Sequence, residues 1–181
     1  MRQGARGMNM KLLIASDIHG SAYWCGALMK RIEVEAPDKV VLLGDLLNHG
    51  PRNPLPDGYA PQKVAEMLNG IAERIVAVRG NCDSEVDQML LDFPCMADYA
   101  LVLDSGRTLF ATHGHVFGPD KVAPLPVGSV VLSGHTHIKT NDERNGLLFA
   151  NPGSVSIPKD GSHSYGVYED GAFRTVELLG E

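Results

Sequence analysis

The chain has 181 residues, 44% of them hydrophobic, and a formal net charge of −6 at pH 7. This length suits one domain with its own core, and the acidic balance argues against a protein that coats nucleic acid. No apolar run approaches the ~20 residues of a membrane-spanning helix, so we expect a soluble protein without a membrane partner.

The chain ends and the cysteines bear on where the protein works. No apolar stretch follows residues 1–9, so we expect no signal peptide. We interpret 1–9 as a disordered N-terminal extension or tag and 10–181 as a single domain. Cys25, Cys82 and Cys95 form no C-x-x-C pair, which predicts free thiols in a reducing compartment and a cytoplasmic location.

The first half of the chain alternates predicted strands and helices. Apolar runs and helical spacing predict, in order, strand 11–16, helix 22–35, strand 40–43, helix 61–74 and strand 75–78. Ser21 is a candidate cap of the first helix, and the segment 48–58, rich in Pro, Asn and Gly, is a predicted loop. This order predicts a parallel sheet with right-handed crossovers.

The second half consists of predicted strands with short links. These strands are predicted at 101–104, 108–112, 130–133, 147–150, 165–169 and 173–177. Hairpin turns are predicted at Ser105-Gly106, Asn145-Gly146 and Asp170-Gly171. Parallel units followed by antiparallel strands indicate two packed sheets with helices outside.

Five short polar segments follow directly on predicted strands. They are Asp17-Ile18-His19, Gly44-Asp45, Gly80-Asn81-Cys82-Asp83, Thr112-His113-Gly114-His115 and Gly134-His135-Thr136-His137. Because ligands bind at the carboxyl ends of parallel strands, we expect these side chains to converge. Each segment also has a structural explanation of its own, such as a turn at Gly44-Asp45 or a helix cap at Asn81.

The residue types favour a pair of metal ions. In an extended segment, residues i and i+2 point the same way, so Asp17 and His19 could hold one ion. His135 and His137 could divide between two ions ~3.5–4 Å apart, with the carboxylate of Asp45 bridging them. Imidazole, carboxylate and amide oxygen suit Mn, Fe or Zn better than Ca. We expect two divalent ions, with Mn first and Fe, Zn or Ni as alternatives.

The ordered segments resemble the metallophosphoesterase (calcineurin-like phosphoesterase) superfamily, whose pattern is D-x-H, GD, GN, H and G-H-x-H. The resemblance extends over residues 11–156, and the segments 48–53 and 151–154 resemble its small YfcE-type phosphodiesterases. It implies an α/β fold, a four-layer α/β/β/α sandwich of two mixed β-sheets flanked by helices.

The resemblance also implies two ligand sets that share one carboxylate. One ion would be held by Asp17, His19, Asp45 and His137. The other would be held by Asp45, Asn81, His113 and His135. Of these, Asp45, Asn81 and His113 are assigned to the catalytic centre. His115 could replace His113 as a ligand or orient a neighbouring one, and Asp83 would steady its loop.

Substrate contacts are expected from residues beside this centre. Asn48, His49 and Arg52 lie in the loop after Asp45, and Arg suits a phosphate because its guanidinium donates two parallel hydrogen bonds. Many family members have His directly after the Asn, where it can protonate the leaving group; here that position is Cys82. A packing role for Cys82 and a role at the site remain alternatives.

These observations predict a dinuclear metal-dependent phosphodiesterase that hydrolyses small phosphodiester substrates. The ions would lower the pKa of a bridging water from ~15.7 towards ~7, and the resulting hydroxide would attack phosphorus. One alternative is a non-catalytic protein-binding scaffold with the same fold, as in a retromer subunit; the other is a nuclease, whose usual extra domains and basic surface this chain lacks. The resemblance leaves a homo-oligomer open.

Overall fold

A computed structural model of the protein describes residues 10–122 and 124–180. The expected N-terminal extension, residues 1–9, lies outside the described residues. No helix within the described ranges is both long enough and apolar enough to cross a membrane. The three cysteines are free thiols, as predicted, with Cys25 and Cys95 buried and Cys82 half-buried.

The described residues form ten strands and three α-helices. The strands are β1 (Leu12–Ala15), β2 (Lys39–Leu42), β3 (Ile75–Ala77), β4 (Tyr99–Asp104), β5 (Arg107–Thr112), β6 (Val130–Leu132), β7 (Thr140–Arg144), β8 (Leu147–Asn151), β9 (Ser164–Glu169) and β10 (Ala172–Glu177). The helices are α1 (Ala22–Glu35), α2 (Pro61–Asn69) and α3 (Glu85–Leu90).

The first sheet has the strand order β10-β9-β1-β2-β3. Strands β1, β2 and β3 are parallel, with α1 and α2 as the connections, as the alternating first half predicts. Strand β9 pairs antiparallel with β1 and with β10. The sheet therefore contains both predicted parallel units and the last hairpin of the chain.

The second sheet has the order β4-β5-β6-β8-β7, and its centre is parallel. The strand pattern of the second half indicated antiparallel strands, whereas the family resemblance implied two mixed sheets, as observed. Strands β5, β6 and β8 run parallel to one another, so each connection between them returns the chain to the same end of the sheet. Only β4 and β7, at the edges, pair antiparallel. The predicted hairpin turns Ser105-Gly106, Asn145-Gly146 and Asp170-Gly171 all have positive φ at both residues.

The helix boundaries follow local capping chemistry. The Ser21 side chain accepts a hydrogen bond from the backbone N–H of Trp24 at 3.2 Å, so the predicted cap of α1 is confirmed. Helix α2 ends at Asn69, earlier than the predicted 74, because Gly70 follows and the chain tightens into a 3₁₀ turn at Ala72–Arg74.

The two sheets pack face to face around a shared apolar layer. Alternate residues of β1, such as Leu12 and Ile14, face the second sheet, while Leu13 and Ala15 face the helices. Helices cover the outer face of the first sheet. On the outer face of the second sheet, Phe117, Val122 and Leu125 of the segment after β5 cover the aromatic and branched side chains Phe110, Val131 and Phe149. The expected architecture of two mixed sheets with flanking helices is confirmed, and among the described residues the helices lie on the first sheet while a non-helical segment covers the second.

Candidate metal centre

The polar segments identified in the sequence all lie at one edge of the sandwich. Asp17 follows β1, Asp45 follows β2 and Asn81 follows β3, which are neighbouring parallel strands. His113 follows β5 and His135 follows β6, which are parallel neighbours in the other sheet. The two sheets therefore bring distant parts of the chain to one place at their carboxyl ends.

Asp17, His19 and His137 form one buried group, whose possible ligand atoms lie within 4.8 Å of one another. The Asp17 Oδ1 atom is 3.2 Å from His137 Nε2 and 3.6 Å from His19 Nε2. The two Nε2 atoms are 3.3 Å apart. All three side chains are almost completely inaccessible to solvent, so water does not screen them from one another.

Backbone carbonyl oxygens orient three of the candidate imidazoles through their Nδ1 atoms. The contacts are His19 with Asn48 (2.9 Å), His113 with Leu43 (2.7 Å) and His137 with Ile157 (2.5 Å). A carbonyl oxygen can only accept, so each Nδ1 donates, and in the neutral ring Nε2 is left with its lone pair. This is the arrangement in which a histidine binds a metal through Nε2.

The first group fits a divalent cation. Asp17 Oδ1 is buried and, within the described part of the chain, has no hydrogen-bond partner. It faces the Nε2 atoms of His19 and His137, and a carboxylate beside two lone pairs needs positive charge between them. Burial raises the pKa of Asp17, but imidazoles protonated at Nε2 would outweigh this effect and hold the pKa well below its usual range; a cation in the same position would act in the same direction. An ionised Asp17 is therefore a candidate ligand.

Asp45 lies between this group and a second one. Its Oδ2 atom is 3.8 Å from His19 Nε2 and 3.5 Å from His113 Nε2. Its Oδ1 atom accepts a hydrogen bond from the backbone N–H of Cys82 at 2.8 Å. The side-chain oxygen of Asn81 is 3.1 Å from His113 Nε2. A carboxylate in this position can contact ions on either side of it.

His135 and His115 lie beside the second group. The backbone N–H of His135 donates to Asp17 Oδ2 at 3.1 Å, and its ring centroid is 5.1 Å from that of His113. The ring of His115 is 5.2 Å from His113, but its buried Nδ1 has no partner among the described residues. Of the two candidates left open by the sequence, His113 is the one beside Asp45.

Five candidate ligands have left-handed backbone conformations. They are Asp17 (φ 59°), His19 (49°), Asp45 (55°), His135 (66°) and His137 (61°). Residues other than glycine rarely adopt this conformation, and it costs about 1–3 kcal/mol each where the side chain gains no compensation. The pairs Asp17/His19 and His135/His137 therefore reach the cluster through turns, because each turn directs the side chain towards it. The sequence analysis assumed an extended geometry instead.

The carboxylate of Asp83 joins two of the ligand loops, as expected for a residue that steadies the loop. It accepts hydrogen bonds from the backbone N–H groups of Asp45 (2.8 Å), Leu46 (2.8 Å) and Gly80 (2.7 Å). Burial raises the pKa of Asp83 to about 6, although these donors oppose the shift. Gly80 packs so closely on Asp45 that a Cβ atom there would overlap its carboxylate.

A serine loop after β8 supports Asp17 from behind, and the sequence analysis assigned it no role. The hydroxyl groups of Ser154 and Ser156 donate to the backbone carbonyl of Asp17 at 2.9 and 3.1 Å. Asn151 donates to the carbonyl of Gly134 at 2.8 Å and so links this loop to the segment that carries His135. These contacts hold in place two turns that carry candidate ligands.

A cleft of about 840 Å³ opens over the cluster. Three of the four expected substrate contacts, Asn48, Arg52 and Cys82, line this cleft. The fourth, His49, does not; its ring packs edge-on against Tyr59 and its Nδ1 is buried. The cleft is also lined by residues that the sequence analysis missed, namely Gly50, Pro51, Asn53, Thr136 and Lys159.

Comparison with known proteins identifies the family. Residues 10–170 match the calcineurin-like phosphoesterase superfamily domain. The chain belongs to this superfamily. It is 49% identical over 170 residues to the phosphodiesterase YfcE of Escherichia coli strain K12, which covers 93% of this chain and 92% of that protein. The solved structure of E. coli YfcE, described as a phosphoesterase, matches with a TM-score of 0.88 and 46% identity over 94% of this chain and 100% of that chain.

The calcineurin-like fold is also found in a more distant solved structure. Vps29 from Entamoeba histolytica matches with a TM-score of 0.60 and 18% identity, over 94% of this chain and 100% of that one. This likeness concerns the fold alone. As a superfamily member with candidate ligand groups in place, the protein is a metal-dependent phosphoesterase.

Cys82 lines the cleft directly after Asn81 in the chain. Its Sγ atom accepts a hydrogen bond from the Asn81 amide at 3.2 Å, and it lies in a possible ligand group with His19 and Asp45. Burial, together with the carboxylate of Asp45, raises the pKa of Cys82 to about 12. The thiol is therefore neutral at pH 7 and cannot serve as a cationic proton donor.

Proposed function

We propose that this phosphoesterase is a dinuclear enzyme that hydrolyses small phosphodiesters. The observation that carries the proposal is the convergence of bare imidazole Nε2 atoms on two buried carboxylates, Asp17 and Asp45. The name of the 49% identical relative, a phosphodiesterase, supports the substrate class.

Two ligand sets would hold the ions. The first is Asp17, His19, Asp45 and His137. The second is Asp45, Asn81, His113 and His135. When bound, two divalent ions would supply a water of lowered pKa and neutralise charge on the phosphate. Nitrogen and oxygen ligands without a required thiolate favour Mn, with Fe, Zn or Ni as alternatives.

The other residues of the site position the ligands and the substrate. The Cys82 backbone N–H holds one oxygen of Asp45, which leaves the second oxygen directed at His19 and His113. Arg52, at the cleft wall, suits a phosphate oxygen because its donors are planar and always charged. Asn48 would donate from its amide at the same wall.

The proposed site lacks a cationic acid for the leaving group at position 82. General acid assistance is typically worth about 10²–10⁴-fold for poor leaving groups. Substrates with acidic leaving groups should therefore react best. A net charge of −6 also favours small substrates over nucleic acid. The location that we propose for the enzyme is the cytoplasm.

Turnover of a bis-aryl phosphodiester, bis(4-nitrophenyl) phosphate, tests the proposal. We expect hydrolysis that is lost after chelation and restored by Mn²⁺, and slower hydrolysis of the monoester 4-nitrophenyl phosphate. A monoester preference would contradict the substrate class. Absence of any metal-dependent turnover would contradict the whole proposal.

A further inference from the structure

Two basic side chains line the cleft without acidic partners. Arg52 lies on the loop after β2, and Lys159 lies on the loop after β8. Among the described residues, neither side chain takes part in an ion pair, whereas Lys11, Arg79 and Lys139 each contact a carboxylate. The chain has 22 acidic and 16 basic residues. Because acids outnumber bases, the absence of a carboxylate partner at both cleft cations is unusual.

The loop that carries Arg52 is fixed directly to a candidate ligand. The carbonyl of Asn48 accepts from His19 Nδ1 at 2.9 Å, while the Asn48 side chain accepts from the N–H of Gly50 at 2.8 Å. The Asn53 amide donates to the carbonyl of His49 at 2.8 Å and closes the turn around Arg52. Arg52 therefore projects from a loop whose backbone is bonded to the candidate ligand His19.

The loop that carries Lys159 is fixed in the same way to His137, a candidate ligand of the same group as His19. The backbone N–H of Lys159 donates to the carbonyl of His137 at 3.0 Å. Two residues earlier, the carbonyl of Ile157 accepts from the imidazole of His137. Both cations thus stand on backbone that is bonded to candidate ligands. The sequence analysis named Arg52 as a substrate contact but did not find Lys159.

The cleft is large enough for more than the reacting phosphate. Its volume of about 840 Å³ falls within the ~300–1,000 Å³ typical of sites that hold a whole small molecule. Arg52 and Lys159 together carry a charge of about +2, which matches a phosphomonoester group at neutral pH. Arginine and lysine are the side chains that most often bind such a group.

We propose that Arg52 and Lys159 bind a second phosphate group of the substrate, away from the phosphodiester that is cleaved. The preferred substrates are then small phosphodiesters that also carry a phosphomonoester. This inference rests on the proposed phosphodiesterase function and adds a specificity determinant to it. Because both side chains are exposed, the preference should weaken as salt concentration rises.

A matched pair of substrates tests the inference. Thymidine 5′-(4-nitrophenyl phosphate) is compared with the same compound carrying a 3′-phosphate, at saturating Mn²⁺. We expect the parent enzyme to prefer the 3′-phosphorylated compound by about tenfold or more in kcat/KM. Arg52→Ala and Lys159→Ala should each reduce this ratio by about fivefold to tenfold.

Two control variants sharpen the comparison. Arg52→Lys keeps the charge and should retain most of the preference, while Lys63→Ala removes an exposed cation of α2 that does not line the cleft and should leave the ratio unchanged. A parent ratio near one, or an equal loss on both substrates in Arg52→Ala and Lys159→Ala, would overturn the inference while the phosphodiesterase function stood. If the parent hydrolysed neither compound, the proposed function would fail and this inference with it.

Discussion

The Nε2 atoms of His19 and His137 lie 3.3 Å apart although the two residues are separated by 118 positions in the chain. Each ring is held through Nδ1 by a backbone carbonyl, so both Nε2 atoms point at the same place beside Asp17. Two lone pairs at this distance repel each other unless a proton or a cation lies between them. The structure therefore contains a position that is built for positive charge.

Replacement of Asp45 by asparagine should damage both proposed ion sites. The change keeps the shape of the side chain but removes the charge of the oxygen that faces His19 and His113. We expect activity to fall by about 100-fold or more and bound metal to fall below two ions per chain. Asp142→Asn, on the exposed edge strand β7, is the matched control. Activity of Asp45→Asn within about twofold of the parent would rule out the bridging role.

Replacement of Ser154 by alanine should weaken metal binding from a distance. Its hydroxyl donates to the carbonyl of Asp17 and accepts from the N–H of Ile157 at 2.9 Å. We expect metal affinity, measured by calorimetric titration, to fall by about tenfold. The free energy of unfolding should fall by about 1–2 kcal/mol.

A second buried serine provides the control for that experiment. Ser129 donates to the carbonyl of Pro126 at 2.6 Å, at the start of β6 and away from the ligand loops. Ser129→Ala should lower stability without changing metal affinity. If Ser154→Ala behaved in the same way, its hydroxyl would have no role in holding Asp17.

Cys82→His should change how the rate depends on the leaving group. In the parent, we expect the rate to fall steeply as leaving-group pKa rises, because the neutral Cys82 thiol gives little proton assistance. An imidazole at this position should help alkyl esters more than aryl esters and so flatten the slope. A series of methyl and aryl phosphodiesters with graded leaving groups, assayed at saturating metal, measures the slope. Cys82→Ala, which lacks both groups, should keep the steep slope; a shallow slope in the parent would assign the proton to another residue.

Sequence patterns were sufficient to predict the strands that precede the candidate ligands, but not to predict β7. The apolar run of β1 and the α1 helix, which Ser21 caps and Pro37 follows, have strong local signals, and α1 begins and ends where predicted. Strand β7 was missed because its sequence, Thr-Asn-Asp-Glu-Arg, lies at a sheet edge with four exposed residues and shows no apolar alternation. Its pairing with β8 comes from tertiary structure.

The site shows the same division between local and tertiary information. Asp17 and His137 belong to short motifs that indicate candidate ligands by residue type and spacing. Lys159 has no motif, and only the folded chain brings it to the cleft that Arg52 lines. The left-handed turns at the ligands were also not predicted, because the spacing of Asp17 and His19 fits an extended strand equally well.

A test away from the site concerns the dependence of stability on pH. Glu35 is held by Lys11 at 3.0 Å, by Arg174 at 3.5 Å and by the hydroxyl of Tyr165 at 3.0 Å. Burial raises the pKa of Glu35, but these partners outweigh it, so the pKa is lowered. A lowered folded-state pKa stabilises the protein above the unfolded value of about 4.3, and this contribution is lost as pH falls.

Glu35→Gln should therefore lose about 1 kcal/mol of unfolding free energy at pH 7, measured by urea denaturation. The difference from the parent should shrink as pH falls below about 4. Glu33→Gln, exposed on the same helix, is the control and should have little effect. A difference for Glu35→Gln that stayed constant down to pH 3 would show that lost packing, and not lost charge, is responsible.

The number of divalent ions bound per chain tests the dinuclear centre most directly. Protein stripped by a chelator, reloaded with Mn²⁺ and freed of excess ions should contain about two ions per chain by elemental analysis. The first ion would be held by Asp17, His19 and His137, and the second by Asn81, His113 and His135. Asp45 would be shared by both ions. A stoichiometry of two in the parent, reduced in Asp45→Asn, is the predicted result. A parent that binds no ion, or that binds one ion and is fully active, would contradict it.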